Sequence, residues 1–172
     1  QQAGPHRAVL LASGVDDGPT GAVDAPHGGR ARDLVADHQQ RSTGGARVGG
    51  HELEALRAEV ALAGGGLTVV AVDGRSGCGK THFAGLLRSH AAAALDVRVE
   101  EVGLVAVEDL YAGWSGLPAA PALLDWCILR PLRAGAARVT WPQWDWAAGR
   151  YGSSGTLERP RSGLLLVEGV GA

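Results

Sequence analysis

Two runs of consecutive apolar residues are the strongest pattern in the chain. The first, LTVVAV at residues 67–72, is rich in β-branched side chains, and the second, SGLLLVEG at 162–169, places four apolar residues before an acid. A strand that is covered on both faces of a sheet shows such a continuous run, whereas a half-exposed strand alternates apolar and polar positions. Both runs therefore predict strands buried inside a parallel sheet.

Helical and further strand patterns lie between these two runs. Residues 80–95 carry apolar side chains at helical spacing, which predicts a helix directly after the first strand; the positions of its buried face are Phe83, Leu86, Leu87 and Ala91. Residues 97–108 predict a second strand region, and residues 120–135 predict a helix shortened by Pro131. The order strand, helix, strand, helix, strand is typical of an α/β domain with a parallel sheet.

The first part of the chain shows a different pattern. Residues 1–50 are rich in Gly, Asp, His, Ala and Arg without a sustained period, which predicts a disordered tail. Residues 51–66 predict a short helix and a linker, so that the domain would cover residues 67–172. A sheet of three strands with no helix after its last strand predicts that the domain is incomplete at its C-terminus.

Composition excludes several classes of function. A net charge of −2 gives no basic field for nucleic acid. No apolar run approaches the roughly 18 residues of a membrane span, and the N-terminus lacks the apolar core of a signal peptide. Two cysteines and six histidines show no disulfide or metal-ligand spacing. We therefore expect a cytoplasmic protein with no nucleic-acid or membrane partner; the oligomeric state stays open.

The segment GRSGCGKT at residues 74–81 fits the Walker A pattern G-x-x-x-x-G-K-[ST] at every fixed position. It leaves a predicted buried strand and opens a predicted helix, as this motif requires. Lys80 is the only lysine in the chain. Its compact ammonium group fits between the β- and γ-phosphates of a nucleotide, where the wide guanidinium of an arginine would not.

The chemistry of this motif predicts binding of a nucleoside triphosphate with Mg²⁺. Glycines let consecutive backbone N–H groups curl around a phosphate, and the helix N-terminus adds positive potential. The hydroxyl of Thr81 is expected to bind Mg²⁺. His82 either contacts the α-phosphate or is an exposed helix residue. The predicted nucleotide-binding residues are Gly74, Arg75, Ser76, Gly77, Cys78, Gly79, Lys80, Thr81 and His82.

Acidic residues follow the other two predicted strands. Glu108 and Asp109 come after the second strand region, and Glu168 ends the last one in the form of a Walker B strand. Carboxylates at the ends of strands beside a phosphate-binding strand face the phosphates. Glu168 is therefore a predicted magnesium ligand together with Thr81. Glu108 or Asp109 either holds Mg²⁺ through water or is the base that takes the proton of an attacking hydroxyl.

The motifs in combination resemble one family. The Walker A segment is followed by EDLY at 108–111, PLRAG at 131–135, WDW at 144–146 and LLVEG at 165–169. Over residues 67–172 this series is similar to the uridine kinase / phosphoribulokinase family of small-molecule kinases. The resemblance implies a P-loop NTPase fold, which is a three-layer α/β sandwich with a mostly parallel sheet.

The resemblance also implies a reaction, the transfer of the γ-phosphoryl group of ATP to a hydroxyl of a small acceptor, such as the nucleoside uridine. The family's catalytic acid falls on Glu108, where the family usually has Asp, and Asp109 is the competing position; Lys80 completes the expected catalytic set. The expected acceptor-binding residues are Tyr111, Trp144, Asp145, Trp146 and Arg150. If the segment is extended, Trp144 and Trp146 share one face and form either a stacking wall or core packing.

Two other functions stay open on the sequence. One is a P-loop ATPase that couples hydrolysis to a partner, although no signature motif of such a class is present. The other is a non-catalytic nucleotide-binding remnant, which the incomplete C-terminus and the glutamate at position 108 favour.

Overall fold

Parallel strands form the main sheet in the part of the chain that the structure, a computed structural model, describes: residues 7–12, 32–33 and 50–172. The described strands are β1 (Arg7–Ala12), β2 (Arg32–Asp33), β3 (Thr68–Asp73), β4 (Gly103–Ala106), β5 (Arg138–Asp145), β6 (Arg150–Glu158) and β7 (Leu164–Gly169). The main sheet has the order β2-β1-β3-β7-β4 with every pairing parallel, while β5 and β6 form a separate antiparallel hairpin. The expectation of an α/β domain with a parallel sheet is therefore confirmed.

The described helices are α1 (Gly50–Leu62), α2 (Lys80–Leu95), α3 (Ala120–Leu124) and α4 (Arg130–Arg133). A π-helical turn, Asp125–Leu129, joins α3 to α4. Short 3₁₀ turns cover Val99–Glu101, Val107–Asp109 and Trp114–Ala119. None of the helices in these described ranges is long and apolar enough to cross a membrane.

Apolar side chains cover both faces of the main sheet, because successive residues of a strand point to opposite sides. On one face Val70, Val72, Leu164 and Leu166 pack with residues of α1 and α2, among them Leu56, Phe83 and Leu87. On the other face Val69, Val105, Leu165 and Val167 pack with the helix that follows residue 120 and with the hairpin, through Leu124, Ile128, Leu132, Val139 and Trp141. The sheet is thus the middle layer of the described fold.

Most predicted elements agree with the structure. The helix over 80–95 has the predicted bounds, and the strands at the two apolar runs are displaced by one or two residues. The region 97–108 contains only a four-residue strand, which begins at Gly103. A Cβ at Gly103 would lie 2.7 Å from Pro160 Cγ, so the strand runs too close to the chain before β7 for any larger residue.

Pro131 does not shorten the predicted helix as expected. It lies inside a continuous helical segment, residues 120–133, so its missing N–H leaves one helical hydrogen bond unmade without ending the helix. The π-helical turn before it is closed by the N–H of Arg130, which donates to the carbonyl of Asp125. The widened turn therefore carries the helix past the proline to Arg133.

The N-terminal prediction differs from the structure at residues 7–12. This segment, RAVLLA, forms β1 and pairs with β3 along all six residues, from Arg7 opposite Thr68 to Ala12 opposite Asp73. The segment contains five consecutive apolar residues, AVLLA, but the polar, glycine-rich sequence that follows it led the whole region to be predicted as a tail. Residues 32–33 add the short strand β2, and the rest of the predicted tail lies outside the described residues.

The short helix predicted within residues 51–66 is present as α1, Gly50–Leu62. The helix α1 buries Leu56, which is 4% exposed, in the same apolar cluster as Phe83 and Leu87 of α2. The helix is therefore packed onto the domain that was predicted to begin at residue 67.

The hairpin provides a test of close packing. Gly155 lies opposite Trp141, and a Cβ at Gly155 would lie 2.2 Å from the indole Cε2. We expect Gly155→Ala to lower the free energy of unfolding by about 1–3 kcal/mol, the usual cost of overpacking. Gly152→Ala, in the same strand, is the matched control, since its Cβ would meet an ordinary contact of 3.7 Å. Equal stability of the two variants in urea unfolding would contradict the packing of Trp141 on Gly155.

Candidate functional site

Three neighbouring strands of the main sheet end at one edge. β7 lies between β3 and β4, with Glu168 opposite both Val72 and Ala106. Since the strands are parallel, the segments that follow them meet at this edge. They are the glycine loop (residues 74–79) after β3, the acid turn (the 3₁₀ turn Val107–Asp109) after β4, and Glu168 itself at the end of β7.

The glycine loop has the backbone conformation that its glycines predict. Gly77 and Gly79 have φ angles of 79° and 88°, in the left-handed region that other residues rarely adopt. A Cβ at either position would meet nothing within 4 Å, so the backbone angles, and not a lack of space, require glycine. Helix α2 begins directly after Gly79, whose carbonyl accepts a hydrogen bond from Phe83 N at 2.9 Å.

Lys80 is buried, with 5% of its surface exposed. Its Nζ donates a hydrogen bond of 2.9 Å to the carbonyl oxygen of Arg75, so that the ammonium group folds back over the glycine loop. Its charge also lowers the pKa of Glu168, which places the two groups in one electrostatic environment. A buried cation beside a loop of left-handed glycines is a favourable site for an anion.

Thr81 and Glu168 are in contact although 87 residues separate them. The hydroxyl Oγ1 of Thr81 donates to Oε1 of Glu168 at 3.1 Å. Glu168 is 6% exposed, and burial raises the pKa of its carboxyl group. The hydrogen bond from Thr81 acts in the opposite direction, while the negative charges of Glu108 and Asp109 raise this pKa further.

The acid turn lies against the end of β7. A Cβ at Gly169 would lie 3.1 Å from Val107 Cβ, so the two backbones approach closely there. Glu108 raises the pKa of Glu168 more than Asp109 does, which places the Glu108 carboxylate in the stronger interaction with Glu168. Both acidic side chains of the turn are half-buried. The structure thus brings Lys80, Glu168 and the acid turn together.

Asp73 is a residue of this edge to which the sequence pattern assigned no role. One carboxylate oxygen, Oδ1, accepts hydrogen bonds from Gly74 N at 2.7 Å and from Gly171 N at 2.9 Å. It therefore ties the start of the glycine loop to the chain that follows β7. The signal in the sequence was an acid at the last position of the first buried strand, directly before the loop.

The remaining nucleotide-binding candidates lie on the surface. Arg75, Ser76 and Cys78 are exposed in the glycine loop, and His82 is exposed in the first turn of α2. Within the described ranges, no group of three or more His, Cys, Asp or Glu side chains is arranged to hold a metal ion by itself.

Tyr111 is fully buried in the core, and no hydrogen-bond partner of its hydroxyl is present among the described residues. Burial, followed by the charge of Glu108, raises its pKa. Trp146, which is 41% exposed, meets Tyr111 edge to face at 6.0 Å between ring centroids. Trp114, a position that the sequence did not single out, lies 5.2 Å from Trp146 and is 57% exposed. Tyr111 thus supports an exposed aromatic pair.

Trp144 and Trp146 do not form one wall. Trp144 lies in β5, and its ring packs edge to face on that of Tyr151, with 5.1 Å between the ring centroids. Trp146 follows the strand and contacts Tyr111 and Trp114 instead. The strand ends at Asp145, after an irregularity in register between Pro142 and Trp144. The alternation of an extended chain therefore stops before it reaches Trp146.

Asp145 and Arg150 lie opposite each other at the turn of the hairpin, and both are exposed. Oδ1 of Asp145 accepts hydrogen bonds of 2.9 Å from the backbone N–H groups of Ala147 and Ala148. One carboxylate oxygen of Asp145 thus shapes the turn, a structural role that the sequence pattern did not predict.

Comparisons of the chain with known protein families, with curated proteins and with solved structures found no match. What can be said of its class therefore depends on the fold and on the geometry at the strand ends. Both define an α/β protein with a parallel sheet and a charged site at the carboxyl edge of that sheet.

The raised pKa of Glu168 predicts a dependence of stability on pH. A carboxyl group whose pKa is higher in the folded than in the unfolded protein stabilises the fold while it is protonated. For Glu168 this stabilisation is fully present below pH 4.5, the ordinary pKa of the group, and it is lost as the pH rises through the raised pKa of the folded protein. Glu168→Gln keeps an oxygen for Thr81 and cannot ionise. In thermal unfolding without ligands, we expect the variant to be more stable than the parent near neutral pH and equally stable below pH 4.5, the ordinary pKa of a glutamate.

Glu100→Gln is the control for this comparison, because it removes a negative charge from an exposed position. A stability gain of Glu168→Gln that persists unchanged to the acid end of the range would contradict a raised pKa at Glu168.

Proposed function

We propose that this chain is a P-loop kinase domain that binds MgATP and transfers the γ-phosphoryl group to a hydroxyl of a small acceptor. The observation that carries the proposal is the contact between Thr81 and Glu168 beside the buried Lys80. The start of α2 supplies the hydroxyl and the ammonium group, and the end of β7 supplies the acid. Proteins that bind a nucleoside triphosphate with its metal use these three groups together.

The glycine loop supports binding of the phosphates. Its left-handed glycines and the N-terminus of the 16-residue helix α2 present backbone N–H groups and positive potential on one side. Lys80 donates to the carbonyl of Arg75 at 2.9 Å, so its ammonium group is already held over this loop. Exchange of that carbonyl for a phosphate oxygen would keep the ammonium group hydrogen-bonded.

Thr81 and Glu168 also fit Mg²⁺. This ion takes oxygen ligands at about 2.0–2.1 Å in an octahedron, so neighbouring ligand oxygens lie about 3 Å apart. The two oxygens are 3.1 Å apart in the structure. Mg²⁺ is usually bound by one or two protein ligands together with phosphates and water, and this pair meets that requirement. When bound, Mg²⁺ would neutralise charge on the phosphates.

The acid turn supplies a base for the acceptor. Glu108 is half-buried, follows the strand beside β7 and interacts with Glu168 through its charge. A carboxylate in this position can accept the proton that an attacking hydroxyl loses. Glu108 is preferred to Asp109, because the catalytic acid of the family that the motifs resemble falls on this position.

The acceptor itself is proposed to be a small alcohol with a planar ring, such as a nucleoside. The exposed rings of Trp114 and Trp146 lie next to the segment that carries Glu108, and aromatic side chains of this kind stack on flat ring systems. The series of motifs that resembles the uridine kinase / phosphoribulokinase family supports the same substrate class.

Lys80 provides the first test. A ligand that binds only the folded protein, at 100 times its Kd, adds about 2.7 kcal/mol of stability. We expect MgATP to raise the melting temperature of the parent, and we expect no shift for Lys80→Ala or Lys80→Arg, since a guanidinium does not fit the slot of the ammonium. Ser89→Ala, on the exposed side of α2, is the control and should respond like the parent. An undiminished shift in Lys80→Ala would refute the P-loop assignment.

Asp145 provides a test of the acceptor site, once a screen of nucleosides for acceptor-dependent formation of ADP has identified a substrate. Asp145→Asn retains the oxygen that accepts from Ala147 and Ala148 but loses the charge. We expect an unchanged melting temperature, an unchanged KM for ATP and a KM for the acceptor raised about tenfold or more, the equivalent of about 1.4 kcal/mol. Asp145→Ala, by comparison, should also destabilise the hairpin. Unchanged acceptor kinetics in the asparagine variant would limit Asp145 to its role in the turn.

A further inference from the structure

Two side chains of the β5–β6 hairpin donate hydrogen bonds to the backbone of the segment that carries Glu108. The indole Nε1–H of Trp146 donates to the carbonyl oxygen of Glu108 at 3.1 Å. The hydroxyl of Tyr151 donates to the carbonyl oxygen of Leu110, also at 3.1 Å. Trp146 is the first residue after β5 and Tyr151 is the second residue of β6, so both donors lie at the turn end of the hairpin.

These hydrogen bonds are added to a short turn whose apolar residues Val107 and Leu110 are buried in the core but which has few backbone hydrogen bonds of its own. Within it, the N–H of Leu110 donates to the carbonyl of Val107, the single bond of a 3₁₀ turn. The 3₁₀ turn ends here, so no continuing helix supplies donors to the carbonyls of Glu108 and Leu110. Here the hairpin supplies them, and a turn of three residues is thereby fixed from outside.

Both donors are held in place by their own packing. The ring of Trp146 contacts Tyr111, which is fully buried, at 6.0 Å. The ring of Tyr151 contacts Trp144 at 5.1 Å. The turn between them is shaped by Asp145, whose carboxylate accepts hydrogen bonds from two backbone N–H groups. These contacts fix where the two donors meet the backbone of the segment that carries Glu108.

We propose that Trp146 and Tyr151 are positioning residues that act through Glu108. The proposal rests on the proposed function, in which Glu108 accepts the proton of the acceptor hydroxyl. A base contributes fully only when it is held within hydrogen-bond reach of that hydroxyl, and a misplacement of about 1 Å can cost roughly a hundredfold in rate. The indole N–H of Trp146 and the hydroxyl of Tyr151 therefore influence the reaction by positioning Glu108, and they do not touch the reacting atoms.

The test uses two substitutions that remove a donor and keep a ring. Tyr151→Phe deletes only the hydroxyl, and Trp146→Phe deletes the indole N–H. We expect kcat for ADP formation to fall about tenfold or more in each, while the KM for ATP and the MgATP-induced melting shift stay at the parent values. Trp126→Phe is the matched control, because Trp126 is 67% exposed and stacks on Arg130 away from the acid turn.

A double-mutant cycle with Glu108→Gln separates positioning from a general structural effect. If the hydroxyl of Tyr151 acts through Glu108, Tyr151→Phe should have little further effect on kcat when Glu108 is already Gln. Independent, multiplying effects of the two substitutions would overturn the positioning role, and so would an unchanged kcat in both single variants.

The outcomes also distinguish this inference from the proposed function. If MgATP produces no Lys80-dependent melting shift, the proposed function itself fails. If the shift is present but the parent forms no ADP with any acceptor, the transfer reaction and the positioning role are both overturned while nucleotide binding stands. If turnover is present and the cycle is additive, only the positioning role is lost.

Discussion

The parallel pairing of β3 with β7 is the constraint on which the candidate site depends. It places the start of α2 beside the end of β7, so that Thr81 and Glu168 meet at 3.1 Å across 87 residues of sequence. The same pairing lets Asp73 join the glycine loop to the chain after β7. A displacement of the register by one residue would turn the apolar side chains of β7 to the wrong layers and would move Glu168 away from the loop.

The acidic side chains at the carboxyl ends of these strands lie close together, and this arrangement does not stabilise the folded protein. Glu168 is buried near two other carboxylates, and its raised pKa expresses the cost of ionising it there. Lys80 and the hydroxyl of Thr81 offset part of that cost. Such an arrangement is easier to understand as preparation for a ligand that brings its own charges than as a contribution to the fold, because natural sites often retain groups that reduce stability.

The hairpin links the core on one face of the sheet to this charged edge. Its Val139 and Trp141 are buried with Ile128 and Leu132 in the apolar cluster below the sheet, and its turn end reaches the backbone of the acid turn through Trp146 and Tyr151. The role of each aromatic residue therefore depends on how far its side chain is buried. Tyr111 and Trp141 are core residues, while Trp114 and Trp146 are exposed beside the candidate site.

The sequence by itself determined the elements whose signals are local. Continuous apolar runs identified the two central strands, helical spacing identified α2, and the glycine-loop motif located the lysine and the threonine, because each of these depends on neighbouring residues alone. Only the tertiary structure decided which distant groups meet. In the structure β1 joins the sheet, and the carboxylates of Asp73 and Asp145 accept hydrogen bonds from backbone N–H groups. Tyr111 is buried, and Trp144 and Trp146 make separate contacts. Such outcomes depend on strand register, on where a strand ends and on which surface a side chain meets, and none of these is encoded in a short stretch of sequence.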